Sequence, residues 1–152
     1  MGRILSLDYG RRRIGVAVSD PLHITAQGLE TIVVDSYEEA LEAVSDLVGQ
    51  WDVGEIVVGL PLKSDGSKGE MAEEVEQFRE DLVERVGVSV YLFDERMTSS
   101  AASRFLHEVG VKTGHRKEEV DRVAATLLLQ DYLMIHRRED RAYGSEEKSD
   151  EE

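Results

Sequence analysis

The chain has 152 residues, of which 41% are hydrophobic, and a formal net charge of −14. This length suits one domain with one core, and the sequence has no apolar run long enough to span a bilayer. Cysteine is absent, which excludes disulfides, thiolate zinc sites and cysteine nucleophiles, and no secretory pattern opens the chain, so we expect a cytoplasmic protein without a membrane partner.

The first part of the chain predicts three strands and a helix. Apolar runs at 3–8 and 14–19 are separated by a few residues, which favours a hairpin. A third strand is predicted at 29–34. Ser36 with Glu39 three residues later forms a capping-box pattern, and apolar residues at helical spacing follow it.

The middle of the chain predicts alternating strands and helices. Residues 55–59 form a short buried strand pattern, and 60–69 contain the glycine and proline signals of a loop. Apolar residues at helical spacing then predict a long helix at 71–86, and 88–93 predicts a further strand.

The last part predicts two helices and a tail. A helix is expected at 98–110, a basic loop at 111–117 and a final helix at 118–136. We therefore expect one domain over 1–136 and a charged, flexible tail over 137–152.

This order of elements predicts an α/β fold with a five-stranded mixed sheet flanked by helices. The strands that end near Asp8, Gly59 and Asp94 would be parallel neighbours. Ligands of open α/β sheets bind beyond the carboxyl ends of such strands, so we expect the functional site there.

Three carboxylates are candidates for that site. Asp8 ends the first strand, with Gly10 expected to leave space beside it, and Glu95 follows the last strand. Asp121 lies in the first turn of the final helix, beside small alanines that would let this helix approach the sheet. Hard cations such as Mg²⁺ and Mn²⁺ prefer carboxylate oxygens, and two such ions can activate water and neutralise a scissile phosphate.

Each of these acids also has a structural interpretation. A single acid at a strand end commonly caps a turn, and an acid near a helix N-terminus is favoured by the helix macrodipole. Asp94 competes with Glu95, because neighbouring strand residues point to opposite faces. One of the two acids is expected to face the cleft while the other caps the following helix.

Basic residues are distributed unevenly along the chain. Between residues 14 and 62 there is no Lys or Arg but nine Asp or Glu. A local basic field matters more for phosphate binding than the net charge. The predicted nucleic-acid contacts flank the three acids: Arg12, Arg13, Lys63, Arg96, Arg116, Lys117 and Arg122. His115 is a further possible contact.

Four segments in order resemble the motifs of the YqgF (RuvX) family of ribonuclease H-like proteins. They are residues 8–21, 57–67, 94–99 and 117–125, and the resemblance covers about residues 3–135. It implies a ribonuclease H-like fold and catalytic acids at Asp8, Glu95 and Asp121, the same three residues that we expect from their chemistry to hold Mg²⁺ or Mn²⁺ as cofactor. It also implies processing of the 5′ end of the 16S ribosomal RNA precursor.

Other functions stay open from the sequence. A Holliday junction resolvase is the older assignment for the family, and it should be a dimer that cuts two strands symmetrically. A nucleic-acid-binding module without catalysis is a second alternative. An actin-like phosphotransferase needs two lobes, for which 152 residues are too few. We favour RNA over branched DNA as partner, bound by a monomer or weak homodimer.

Overall fold

A computed structural model describes residues 2–97 and 117–150, with side chains over 2–96 and 117–136. The strands of these ranges are β1 (Arg3–Tyr9), β2 (Arg13–Ser19), β3 (Ala26–Gly28), β4 (Ile32–Val33), β5 (Val53–Leu60) and β6 (Ser89–Asp94). The helices are α1 (Tyr37–Gln50), α2 (Glu70–Val86) and α3 (Lys117–Asp150), and a 3₁₀ turn spans Glu95–Met97. The predicted helix at 98–110 and most of the basic loop, including His115 and Arg116, lie outside the described residues.

The strands form one mixed sheet, as predicted. Its order is β3-β2-β1-β5-β6, with β4 also paired to β2. β1 and β2 form the expected antiparallel hairpin, and β1, β5 and β6 are parallel neighbours. The carboxyl ends of these three parallel strands therefore meet at one edge of the sheet.

The sheet has six strands rather than five, because the predicted third strand at 29–34 is wrong in its bounds. Two short strands, β3 and β4, pair with β2 in its place. Gly28 lies opposite Ala17 and Ile32 lies opposite Ile14, so the register advances by one residue between the two ladders. This extra residue is a bulge, which interrupts the hydrogen-bond ladder and bends the edge of the sheet.

Local signals set the ends of the helices. The Ser36 hydroxyl accepts a hydrogen bond from the amide of Glu39 at 3.2 Å, as the capping box predicts. α2 is capped at its C-terminus by Gly87, whose φ of 69° is the left-handed conformation that glycine adopts without strain. α3 begins at Lys117 and continues to Asp150, past His136 where we predicted its end. Flexibility of the tail stays a prediction.

The two faces of the sheet carry separate cores. One face packs against α1 and α2 in a large apolar cluster that includes Leu5, Leu7 and Phe78. The other face packs against α3 in a smaller cluster that includes Ile4, Val57 and Leu129. Within the part of the chain that the structure describes, no helix is both long and apolar enough to cross a membrane.

Candidate active site

A row of residues across the α3 face of the sheet places the first carboxylate. Asp8 of β1 lies opposite Gly15 of β2. On the other side Leu7 is in register with Val58, so the next residues, Asp8 and Gly59, are neighbours in turn. Side chains alternate along a strand, and Ser6 contacts α3, so Asp8 two residues later points to the same face. Asp8 thus stands between two glycines.

α3 brings Asp121 to one end of this row. A Cβ on Gly15 would lie 2.1 Å from the carbonyl oxygen of Asp121, so only glycine permits this approach of helix to strand. Two hydroxyls fix the helix on either side: Ser6 Oγ donates to the Ala125 carbonyl and Thr31 Oγ1 donates to the Glu118 carbonyl, each at 2.7 Å. The small alanines predicted from the sequence do lie against the sheet, where Ala125 is buried.

The 3₁₀ turn after β6 brings Glu95 to the other end of the row. A Cβ on Gly59 would lie 2.2 Å from Glu95 Oε1, so the Glu95 side chain covers the space that this glycine leaves. Glu95 is only 6% exposed. Asp94 instead accepts hydrogen bonds from the Arg96 amide and guanidinium, which lower the pKa of the Asp94 carboxyl. Of the two acids, the one chosen from the sequence is therefore the one directed into the fold.

The most buried charge contact of the site joins Arg13 and Asp121. Arg13 Nε donates to Asp121 Oδ2 at 2.7 Å, and the two side chains are 26% and 7% exposed. Arg13 shares the α3 face with Gly15, two residues along β2. The sequence predicted Arg13 as a phosphate contact, and the structure adds a carboxylate partner 108 positions away.

The other predicted phosphate contacts surround the carboxylates less closely. Arg12 and Lys63 are exposed on loops at the carboxyl edge of the sheet, and Lys117 is half-buried at the start of α3. Arg96 is paired with Asp94 and lies beside Gly66 in the 60–69 loop. The stem of Arg122 packs over Gly28, at the sheet edge formed by β3.

The donor set of the site fits a hard divalent cation. Three carboxylates are carried by neighbouring elements along one row, and two of these residues, Glu95 and Asp121, are nearly buried. As the side chains lie, however, no three acidic or histidine residues among those described form a group that would ligate a metal. The Asp121 carboxylate is turned toward Arg13 and accepts the Arg13 Nε hydrogen bond through Oδ2.

Sequence reasoning missed the glycines that make the row. It assigned the space beside Asp8 to Gly10, but a Cβ there would meet the Arg13 carbonyl at 2.7 Å, so Gly10 serves the tight turn of the hairpin. Gly15 and Gly59 supply the space instead. A glycine inside each of two strand patterns is a signal of close approach that could have found them.

The mixed sheet, the covering helices and the acidic row define a ribonuclease H-like α/β protein. The family model of RuvX, described as Holliday junction resolvase, matches residues 2–135, so this chain belongs to the RuvX family.

Relatives of similar length support this membership. A protein of Halothermothrix orenii named "Putative pre-16S rRNA nuclease" is 45% identical, over 86% of this chain and 94% of its own length. Proteins of the same name from Myxococcus xanthus and Moorella thermoacetica are 43% and 47% identical, over 93% and 86% of this chain and 93% and 94% of theirs.

Solved structures share the fold at low identity. Thermus thermophilus RuvC in complex with a Holliday junction substrate superposes with a TM-score of 0.57 at 15% identity, covering 90% of this chain and 96% of RuvC. A second structure of the same protein gives a TM-score of 0.54 at 13% identity, covering 89% and 96%. These likenesses confirm the predicted fold class.

Proposed function

We propose that this protein is a divalent-metal-dependent nuclease that hydrolyses phosphodiester bonds at the 5′ end of the 16S ribosomal RNA precursor. The observation that carries the proposal is the acidic row, in which Asp121 and Glu95 flank Asp8 at the carboxyl ends of parallel strands. The names of the relatives support the RNA substrate.

In this proposal Asp8, Glu95 and Asp121 are the catalytic residues and hold Mg²⁺ or Mn²⁺. Bound metal would supply an activated water and neutralise charge on the scissile phosphate. The protein's own part is to fix the three carboxylates on rigid elements and to keep water from two of them. The glycines at 15 and 59 make that convergence possible.

The direct test is cleavage of matched substrates by the whole chain. A 5′-extended 16S precursor fragment and a four-way DNA junction would each be incubated with Mg²⁺, Mn²⁺, Ca²⁺ or excess chelator. We expect cleavage of the RNA with Mg²⁺ and Mn²⁺ and little with Ca²⁺, which takes more ligands in looser geometry. Cleavage that persists in chelator would rule out the metal mechanism, and a preference for the junction would assign the resolvase activity of the family description instead.

Phosphate contacts are proposed around the acids, from Arg12, Arg13, Lys63, Arg96, Lys117 and Arg122, together with Arg116. Each lost contact should flatten the salt dependence of RNA binding by about one unit of slope, because fewer counterions are released. Lys117→Ala should therefore weaken binding most at low salt. Identical slopes for wild type and variant in a salt titration at fixed Mg²⁺ would show that Lys117 does not touch phosphate.

We further propose that the protein acts in the cytoplasm as a monomer or weak homodimer. The support for this is that all three proposed catalytic acids come from one chain, so cleavage of one RNA strand would need no second copy. Sedimentation with and without RNA would test this. Cleavage by the dimer alone would favour symmetric cutting of a junction.

A further inference from the structure

We propose that Arg13 is a displaceable counter-ion for Asp121. Its guanidinium neutralises this carboxylate in the metal-free protein, and a divalent metal ion would compete with the guanidinium for the carboxylate and displace it. The inference rests on the proposed function, because it takes Asp121 to be a metal ligand.

The ion pair is unusually well shielded for this protein. Among the ion pairs that the described residues form, Arg13–Asp121 is the least exposed, with side chains 26% and 7% accessible. The pair of Arg11 with Glu74, for comparison, is 60% and 32% accessible. A shielded pair is screened less by salt and water than an exposed one, so the charge of Arg13 is less screened than that of an exposed arginine.

Two features of the pair oppose a metal ion. The hydrogen bond from Arg13 Nε occupies a lone pair of Asp121 Oδ2, so this oxygen is a poorer ligand while the bond is in place. The guanidinium also places a unit positive charge beside the site, which repels a second cation. Metal binding therefore competes with Arg13 for the same carboxylate.

The backbone position of Asp121 is held by contacts other than Arg13. The backbone of α3 is held by the close contact of Gly15 with the Asp121 carbonyl. The hydroxyls of Ser6 and Thr31 add hydrogen bonds to helix carbonyls on either side. Removal of the guanidinium should therefore change the charge of the site while leaving the helix that carries the carboxylate in place, so that metal affinity rises rather than falls.

The Arg13 side chain can reach solvent when it leaves Asp121. It is the first residue of β2, next to the hairpin turn at the carboxyl edge of the sheet, and a quarter of its side chain is exposed. A long guanidinium side chain at that position can turn outward to solvent.

The test measures metal affinity of the whole chain by calorimetry, with Mn²⁺ and with Mg²⁺. Arg13→Gln should bind the metal about ten-fold more tightly than wild type. This factor corresponds to the free energy of one charge-assisted hydrogen bond, which the metal no longer has to break. Arg13→Lys, which keeps the charge but loses the Nε donor, should lie between them. Arg12→Gln removes the same charge at the exposed neighbouring position, and its affinity should stay within about two-fold of wild type.

The outcomes separate this inference from the proposed function. Unchanged or weaker binding by Arg13→Gln would overturn the counter-ion role while the metal site stands, and so would an equal gain from Arg12→Gln. Wild-type protein that binds no metal, or that binds it equally well after Asp121→Asn, would overturn the proposed site and the inference with it.

Wild-type protein gives a second measurement if Arg13→Gln fails to fold. The Nε–H resonance of Arg13 should move when the protein is saturated with Mg²⁺, because its hydrogen bond to Asp121 is broken. The internal control is Arg11. Its Nε donates to Glu74 at 3.0 Å, and Glu74 belongs to α2 on the opposite face of the sheet, so the Arg11 resonance should not move. An Arg13 resonance that stays in place at saturation would overturn the proposal.

Discussion

The same strands form two faces of the sheet that carry very different side chains. The face under α1 and α2 is filled by large apolar side chains such as Leu7 and Phe78, both fully buried. The face under α3 has a smaller apolar cluster, and beyond it two glycines admit a helix backbone and a glutamate side chain.

This difference shows how one sheet can both stabilise the fold and gather carboxylates. Burial of apolar side chains on the α1 and α2 face contributes most of the hydrophobic stabilisation. On the α3 face, burial of Glu95 and Asp121 costs free energy that an ion pair and hydrogen bonds must offset. Substitutions on the two faces should therefore be distinguishable by whether activity or stability falls.

The largest expected effect is on activity, from the carboxylates. We expect Asp8→Asn, Glu95→Gln and Asp121→Asn each to reduce cleavage by more than about 100-fold. Loss of a residue that only orients a metal ligand already lowers activity by about 10- to 100-fold, and loss of a ligand should cost more. Each amide keeps the volume of the acid, so the variants should fold. Cleavage rates of the RNA substrate, with circular dichroism for folding, measure this.

The control for that prediction lies on the opposite face. Phe78→Ala should lower the free energy of unfolding by about 3–5 kcal/mol, because it leaves a cavity in the larger core. At temperatures where this variant is folded, its cleavage rate should stay close to that of wild type. Comparable losses of activity from Phe78→Ala and Asp8→Asn would refute the separation of the two faces.

The second effect is on stability, where glycine permits helix contact. Gly15→Ala should cost about 2–3 kcal/mol, because its Cβ would overlap the Asp121 carbonyl and backbone cannot easily move aside. Gly49→Ala in α1 is the matched control. Nothing lies within 4 Å of its Cβ, so alanine there should stabilise the helix by about 0.5–1 kcal/mol. Denaturant unfolding that gives the two variants the same sign would contradict this.

The third effect concerns Gly59, where we expect a larger change in cleavage than in stability. A Cβ at this position meets the Glu95 side chain rather than backbone, and a side chain can rotate away. Gly59→Ala should therefore change the free energy of unfolding by less than about 1 kcal/mol while displacing Glu95 and lowering cleavage about ten-fold or more. An alanine variant with wild-type cleavage would show that Glu95 need not lie over β5.

Much of this arrangement could be predicted from residues close together in sequence. Alternation and helical spacing gave the hairpin, the parallel strands and the positions of Asp8 and Glu95 at strand ends. What could not be predicted depends on register between distant segments. The bulge between β3 and β4, and the contact of Arg13 with Asp121 across 108 positions, follow from how the segments meet. A pattern within one segment does not contain that information.

The smallest expected effect comes from an acid at the other end of the sheet, where its role is structural. Asp20 follows β2, at the end away from the acidic row, and accepts hydrogen bonds from the amides of Leu22, Ile24 and Thr25. The Thr25 amide, with help from the other donors, lowers the pKa of Asp20 to about 2 from an ordinary 3.8.

The folded state thus prefers the ionised carboxylate of Asp20. Its contribution to stability is complete above pH 3.8 and is lost as the pH falls through about 2. Because Asp20 is only partly buried at the surface, the effect should be small. Asp20→Asn should reduce the difference in unfolding midpoint between neutral pH and pH 2, without altering cleavage at neutral pH. Denaturant titrations at several pH values measure this, and an unchanged acid dependence in the variant would show that the Asp20 turn does not contribute.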